Sequence, residues 1–103
     1  MFNRISIVEA KELLDRGDSK IVDIRDPGSY ASGHVAGAIN LNNDNFAEFI
    51  NDTAKDHSIL VMCYHGNSSQ QVAGILVEQG FTNVSSVDGG CEGWKLQYEV
   101  VTD

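Results

Sequence analysis

Ile59-Leu60-Val61-Met62-Cys63-Tyr64-His65-Gly66-Asn67-Ser68-Ser69 is the stretch that decides the fold. Its first four residues are apolar, with Ile59 and Val61 β-branched, which reads as a short buried strand. The strand runs straight into a cysteine and a turn of small polar residues. A helical pattern then begins, with Val72, Ala73, Leu76 and Val77 on one face. A cysteine between a strand end and a helix start faces unpaired backbone N–H groups at the positive end of the helix dipole. Such a place binds anions and favours thiolate over thiol. The plainer reading is a buried structural cysteine before an ordinary turn. Gly66, Asn67 and the paired serines suit an exposed loop wrapped around an anion better.

Outward from this centre, strands and helices alternate. Downstream, Gly80 stops the helix, Val84-Ser85-Ser86-Val87 is a strand, and Asp88-Gly89-Gly90 turns the chain into a final helix carrying Trp94. Leu96 to Asp103 form its end and a tail. Upstream, Phe46, Phe49 and Ile50 mark an amphipathic helix, and Ala38-Ile39-Asn40-Leu41 a strand. Asp26 as N-cap with Pro27 at the first helical position starts a brief helix closing near Gly33. Ile21-Val22-Asp23-Ile24 is the strand before it. Ser6-Ile7-Val8-Glu9 has capping-box form, opening a helix that buries Ala10, Leu13 and Leu14 and ends at Gly17. The alternation implies one α/β domain over residues 1–103, a parallel sheet covered on both faces.

Composition narrows the function. The chain has 103 residues, 42% of them hydrophobic, and a net charge of −8, so a real core is expected and disorder is not. No Lys/Arg cluster occurs, which argues against nucleic acid and anionic membranes as partners. No apolar run is long enough for a signal peptide or a membrane span. The two cysteines, Cys63 and Cys91, are too few for a disulfide scaffold and point to a reducing, cytoplasmic setting. With three histidines and no zinc spacing, a metal site is not expected.

Ligands of open α/β sheets bind outside the carboxyl ends of the strands. Three turns leave strands at that edge: Asp23 to Asp26, Cys63 to Ser68, and Asp88 to Gly90. Among them only Cys63 is a nucleophile at a helix N-terminus. The loop offers peptide donors from Tyr64 to Ser69, and Gly66 permits the angles that turn several of them inward.

Here the chain resembles a known family. Val22-Asp23-Ile24-Arg25-Asp26-Pro27 with Gly33-His34-Val35-Ala36-Gly37-Ala38-Ile39-Asn40 resembles the amino-terminal signature of the rhodaneses, and Asp88-Gly89-Gly90-Cys91-Glu92-Gly93-Trp94 their carboxy-terminal one. The loop from Cys63 to Ser69 is similar to that of the small, glycerol-regulon type. The resemblance implies a rhodanese-like three-layer α/β domain, with a short central parallel sheet of about five strands and helices on both faces. It also implies a thiosulfate sulfurtransferase. Cys63 would be catalytic through a persulfide, with Tyr64, His65, Gly66, Asn67, Ser68 and Ser69 binding substrate and no cofactor. Acceptors would be cyanide, a small thiol or, in a relay, a protein thiol such as that of thioredoxin.

Thiosulfate is a dianion meeting a thiolate on an acidic protein. Two like charges ~4 Å apart repel by about 1 kcal/mol in water and about 4 kcal/mol at an effective dielectric of 20. Many rhodaneses offset this with Arg or Lys in the loop, whereas here only His65 is ionisable as a base. Recognition is therefore expected to rest on backbone donors, with Asn67 and Ser68 assisting, and to be weak. A cysteine phosphatase or arsenate reductase would need Cys-x5-Arg, but Ser69 stands at that position. A non-catalytic binding module usually lacks the cysteine. Asp23 and Arg25 could orient the loop or the anion, though such a pair more often bonds turn backbone and itself. His34 is expected to cap backbone groups, His57 to lie in an exposed turn, and Trp94 to be core. Cys91 stands where the family carries a bulky apolar residue. It is read first as a small buried hydrophobe and second as a thiol near enough to protect or resolve Cys63.

Overall fold

The computed structural model describes residues 1–102, so Asp103, the end of the expected tail, lies outside the described residues. Among the described residues five strands form one sheet: β1 (Asn3–Ile5), β2 (Ser19–Asp23), β3 (Ile39–Asn40), β4 (Ser58–Met62) and β5 (Val84–Val87). They are ordered β1-β5-β4-β2-β3, and every pairing is parallel. The helices are α1 (Ile7–Arg16), α2 (Pro27–Ser32), α3 (Phe46–Asp52), α4 (Ser68–Glu78) and α5 (Gly90–Lys95). No helix among the described residues is long and apolar enough to cross a membrane.

Strand alternation divides the core into two layers. On one face Leu60, Met62 and Val87 pack with Ile7 and Ala10 of α1 and Cys91 and Trp94 of α5. On the other, Ile59, Val61 and Val84 pack with Phe49 of α3 and Ala73 and Leu76 of α4. Burying each of these strand side chains stabilises the fold by about 1.5–3 kcal/mol at most. β4 lies between β2 and β5, buried on both faces, as its unbroken apolar run requires.

Local signals act as the sequence implies. Ser6 and Glu9 form both bonds of the capping box, each 3.1 Å, and Gly17 ends α1 at φ +81°. The Asp26 side chain accepts from Ser29 N, with Pro27 opening α2. Differences arise where tertiary pairing decides. β1 is a three-residue strand without periodicity, fixed by pairing Asn3, Arg4 and Ile5 with Ser85, Ser86 and Val87. The tail is tied back by an isolated bridge between His34 and Val101, whose mutual backbone bonds are 2.8 and 2.9 Å. His57 is half-buried rather than exposed, because its turn leads directly into β4.

Candidate active site

β2, β4 and β5 end at the same edge, bringing Asp23, Cys63 and Asp88 to one side of the molecule. Cys63 follows the last residue of β4 and keeps the parity of Ile59 and Val61, so its side chain belongs to the α4 face. The residue is only 3% exposed. Gly66 N donates to its Sγ at 3.1 Å, and the thiol donates to Ser69 Oγ at 3.2 Å. Ser69 Oγ in turn lies 2.7 Å from Ser86 Oγ, and both serines are fully buried. Burial alone would push the Cys63 thiol up. Once the proton has left, hydrogen bonds donated to the thiolate by the Ser69 side chain and by the backbones of Ser69, Gly66 and His65 outweigh it, so the thiol ionises below its ordinary value.

The loop carbonyls are held away from the sulfur. Cys91 N donates to Cys63 O at 2.7 Å and Glu92 N to Tyr64 O at 3.0 Å, while Gln70 Nε2 donates to Gly66 O at 2.9 Å. With those oxygens bound elsewhere, the N–H side of the loop is left to the thiol. The packing requires glycine at two points. Gly66 has φ +97°, and a Cβ there would sit 2.9 Å from Gly89 N. Gly90 has φ +58°, and a Cβ would lie 2.5 Å from Tyr64 C and O.

The remaining loop residues are placed differently. Tyr64, His65, Asn67 and Ser68 are exposed. Asn67 makes no side-chain cap bond to α4, so the Cys63 sulfur, to which the Ser69 backbone bonds, stands where a capping side chain would. Tyr64 turns toward α2: its hydroxyl donates to Asp26 Oδ2 at 2.6 Å and lies 2.7 Å from Ser29 Oγ. The Tyr64 bond, followed by those from Ser29, lowers Asp26 to about 2. Ser69 points inward beneath the sulfur rather than outward to an entering anion.

Asp23 and Arg25 form a buried pair, with Arg25 Nε 3.0 Å from Asp23 Oδ1 and Nη2 2.7 Å from Oδ2. A second Nη2 bond, 2.7 Å to Gly33 O, occupies the guanidinium further. The hydrogen bond to Asp23 leads the effects on Arg25, whose pKa is raised despite burial. The pair ties the β2 turn to the end of α2, and its charge is already used. Cys91 is fully buried in the opposite core layer, its Sγ 3.9 Å from Gly33 O. Its backbone touches that of Cys63, yet the two sulfurs have different partners on different faces, and both are free thiols. Burial pushes the Cys91 thiol up.

Beside the loop runs an open cleft of about 600 Å³, with Ser68 at its loop end and Ile24, Leu41, Phe46, Val72 and Ile75 along its walls. No group of three or more His, Cys, Asp or Glu placed for a metal ion occurs among the described residues. Three contributors to the loop were not legible as such: Ser86, Gln70 and Gly90. Ser86 could have been found from strand parity, because two serines inside a buried strand ask for polar partners.

This chain belongs to the rhodanese-like domain family, which matches residues 6–97. It is 52% identical over 97 residues to the thiosulfate sulfurtransferase GlpE of Pseudomonas entomophila, covering 94% of this chain and 88% of that protein. The protein of the same name from Pseudoalteromonas translucida is 50% identical over 97 residues, with 94% and 92% covered. Among solved structures, a rhodanese-related protein from Thermoplasma volcanium superposes with a TM-score of 0.82 at 26% identity, covering 99% of this chain and all (100%) of that one. A rhodanese-like domain from Anabaena sp. gives 0.87 at 25% identity, covering 100% and 81%.

Proposed function

We propose that this chain, acting as a single rhodanese unit, is a thiosulfate sulfurtransferase that carries sulfane sulfur on Cys63. The observation that carries the reading is the Cys63 sulfur, held at the sheet's carboxyl edge by inward donors that lower its pKa. The relatives named thiosulfate sulfurtransferase support the same reading.

The Cys63 thiolate attacks the outer sulfur of thiosulfate. A Cys63 Sγ–S bond forms, the thiosulfate S–S bond breaks, and sulfite leaves with the electron pair. Backbone N–H groups of the loop, with Asn67 and Ser68 at its mouth, receive the anion. The persulfide is itself an anion, and the same donors serve it in the second half of a ping-pong cycle. Cyanide or a thiolate then attacks the outer sulfur, and Cys63 leaves as thiolate, ready for another turn. A second reading, transfer to a protein thiol such as that of thioredoxin, is favoured by the open apolar cleft at Ser68, which gives a larger acceptor room beside the loop. Two free thiols suit a reducing compartment such as the cytoplasm.

Intact mass after incubation with thiosulfate tests the reading. The expected result is a gain of one sulfur atom, removed by cyanide or dithiothreitol and absent in Cys63→Ser. A protein that gains no sulfur, or gains it without Cys63, overturns it.

A further inference from the structure

We propose that Ser86 is a positioning residue that favours the ionised form of Cys63 through the hydroxyl of Ser69. Ser86 pairs with Val61 of β4, so it shares the sheet face to which Val61 and, two places on, Cys63 belong. Cys63 Sγ, Ser69 Oγ and Ser86 Oγ form a chain with steps of 3.2 and 2.7 Å. Among the described residues, the Ser86 hydroxyl has no hydrogen-bond partner but Ser69, and that of Ser69 none but Ser86 and Cys63.

The hydrogens decide the direction. With Cys63 as a thiol, three hydrogens share two links, so one hydrogen in a buried site has no acceptor. With Cys63 as a thiolate, Ser86 donates to Ser69, Ser69 donates to sulfur, and every hydrogen is used. A hydroxyl that is itself receiving a hydrogen bond is a stronger donor, so Ser86 strengthens the bond that reaches the sulfur. It also fixes the rotamer from which Ser69 donates.

The charged and titratable groups around the loop do not replace this chain. Tyr64 is engaged with Asp26, Arg25 with Asp23 and Asp88 with Arg4. His65 is exposed, Glu92 pairs with Lys95, and Cys91 belongs to the other core layer. None of them makes a side-chain hydrogen bond to Cys63 Sγ.

The inference deepens the reading of Cys63 as nucleophile, but its readout is alkylation of the thiol, which does not depend on sulfur transfer. The pH profile of iodoacetamide alkylation, resolved to Cys63 by peptide mass, is measured for the unmutated chain, Ser86→Ala, Ser86→Thr, Ser69→Ala and the double alanine variant. Ser86→Ala is expected to move the midpoint to higher pH and slow alkylation at neutral pH by about two- to tenfold, the worth of one hydrogen bond. Ser86→Thr restores the profile. In the Ser69→Ala background, Ser86→Ala adds nothing. A Ser86→Ala profile superposing on the unmutated one, or an equal shift without Ser69, overturns the proposal. The unmutated chain supplies a test independent of folding: the 13Cβ resonance of Ser86 should titrate together with Cys63, while that of Ser85 stays still. A Ser86 resonance that ignores the ionisation of Cys63 also overturns it.

Discussion

Replacing Gly90 by alanine tests whether the first turn of α5 shapes the thiol loop. Gly90 sits at φ +58°, where an L-residue costs roughly 1–2 kcal/mol. Its new Cβ would fall 2.5 Å from Tyr64 C and O and 2.6 Å from Cys63 O, all backbone atoms that cannot swing aside. The turn must retreat, breaking the bonds from Cys91 N to Cys63 O and from Glu92 N to Tyr64 O. At about 0.5–1.5 kcal/mol each, these raise the expected loss to about 2–5 kcal/mol. Gly17→Ala is the control, because it shares the left-handed geometry at φ +81° but has nothing within 4 Å of its Cβ. Urea unfolding gives both losses by linear extrapolation. Gly17→Ala should lose about 1–2 kcal/mol and keep full reactivity at Cys63. Gly90→Ala should lose more and also slow alkylation of Cys63, since freed loop carbonyls no longer hold the N–H groups inward. Equal losses for the two variants, with unchanged thiol reactivity in both, would refute the idea that α5 orients the loop.

Other expectations follow from single contacts. Asn67→Lys should lower the Michaelis constant for thiosulfate about fivefold at low salt, the worth of about 1 kcal/mol, with the gain shrinking as ionic strength rises; steady-state assays at two salt concentrations decide it. Asp26 has a depressed pKa in the folded chain, so its contribution is present above the ordinary carboxylate range and lost as pH falls toward about 2. Tyr64→Phe should move its titration back up, as read by carboxyl NMR. Cys91→Ala should leave the oxidation and reductive recovery of Cys63 unchanged, because the two sulfurs belong to opposite layers of the sheet; intact mass after mild peroxide, then reductant, measures this. Over-oxidation confined to the variant would instead make Cys91 a resolving thiol.

The parts of this fold that were legible are those whose causes are contiguous. The β4–loop–α4 unit joins an apolar run, a set of turn residues and a helical stripe, and each acts within a few residues of itself. The caps at Ser6 and Asp26 are of the same kind. What was not legible depends on register. β1 exists because Asn3 meets Ser85, and neither residue advertises a strand. Ser86 reaches Ser69 because β5 is aligned so that it pairs with Val61. The Tyr64–Asp26 contact spans 38 residues and needed α2 to be in place. Cys91 was expected at the right edge, and its backbone is there. Its sulfur turns away because α5 packs on the layer opposite α4.

Under the proposed function, the loop also explains why an acidic protein with no cation there is a coherent design for moving an anionic sulfur. A fixed lysine beside Cys63 would attract thiosulfate, but it would equally stabilise the persulfide that must next be given away. Stabilising a bound state and its intermediate alike deepens a well without lowering the barrier out of it. Neutral donors such as Gly66 N and Ser69 Oγ act at short range and follow the charge. In that mechanism they would serve the thiolate, then the persulfide, with little pull on an anion still in solvent. Under the proposed function, the Asn67→Lys variant should therefore separate the two half-reactions. Loading from thiosulfate becomes easier, while discharge of the loaded Cys63 to a neutral thiol becomes slower in a single-turnover experiment. If discharge accelerates as well, the added charge is stabilising the transition state rather than the persulfide, and the preference for neutral donors has another cause.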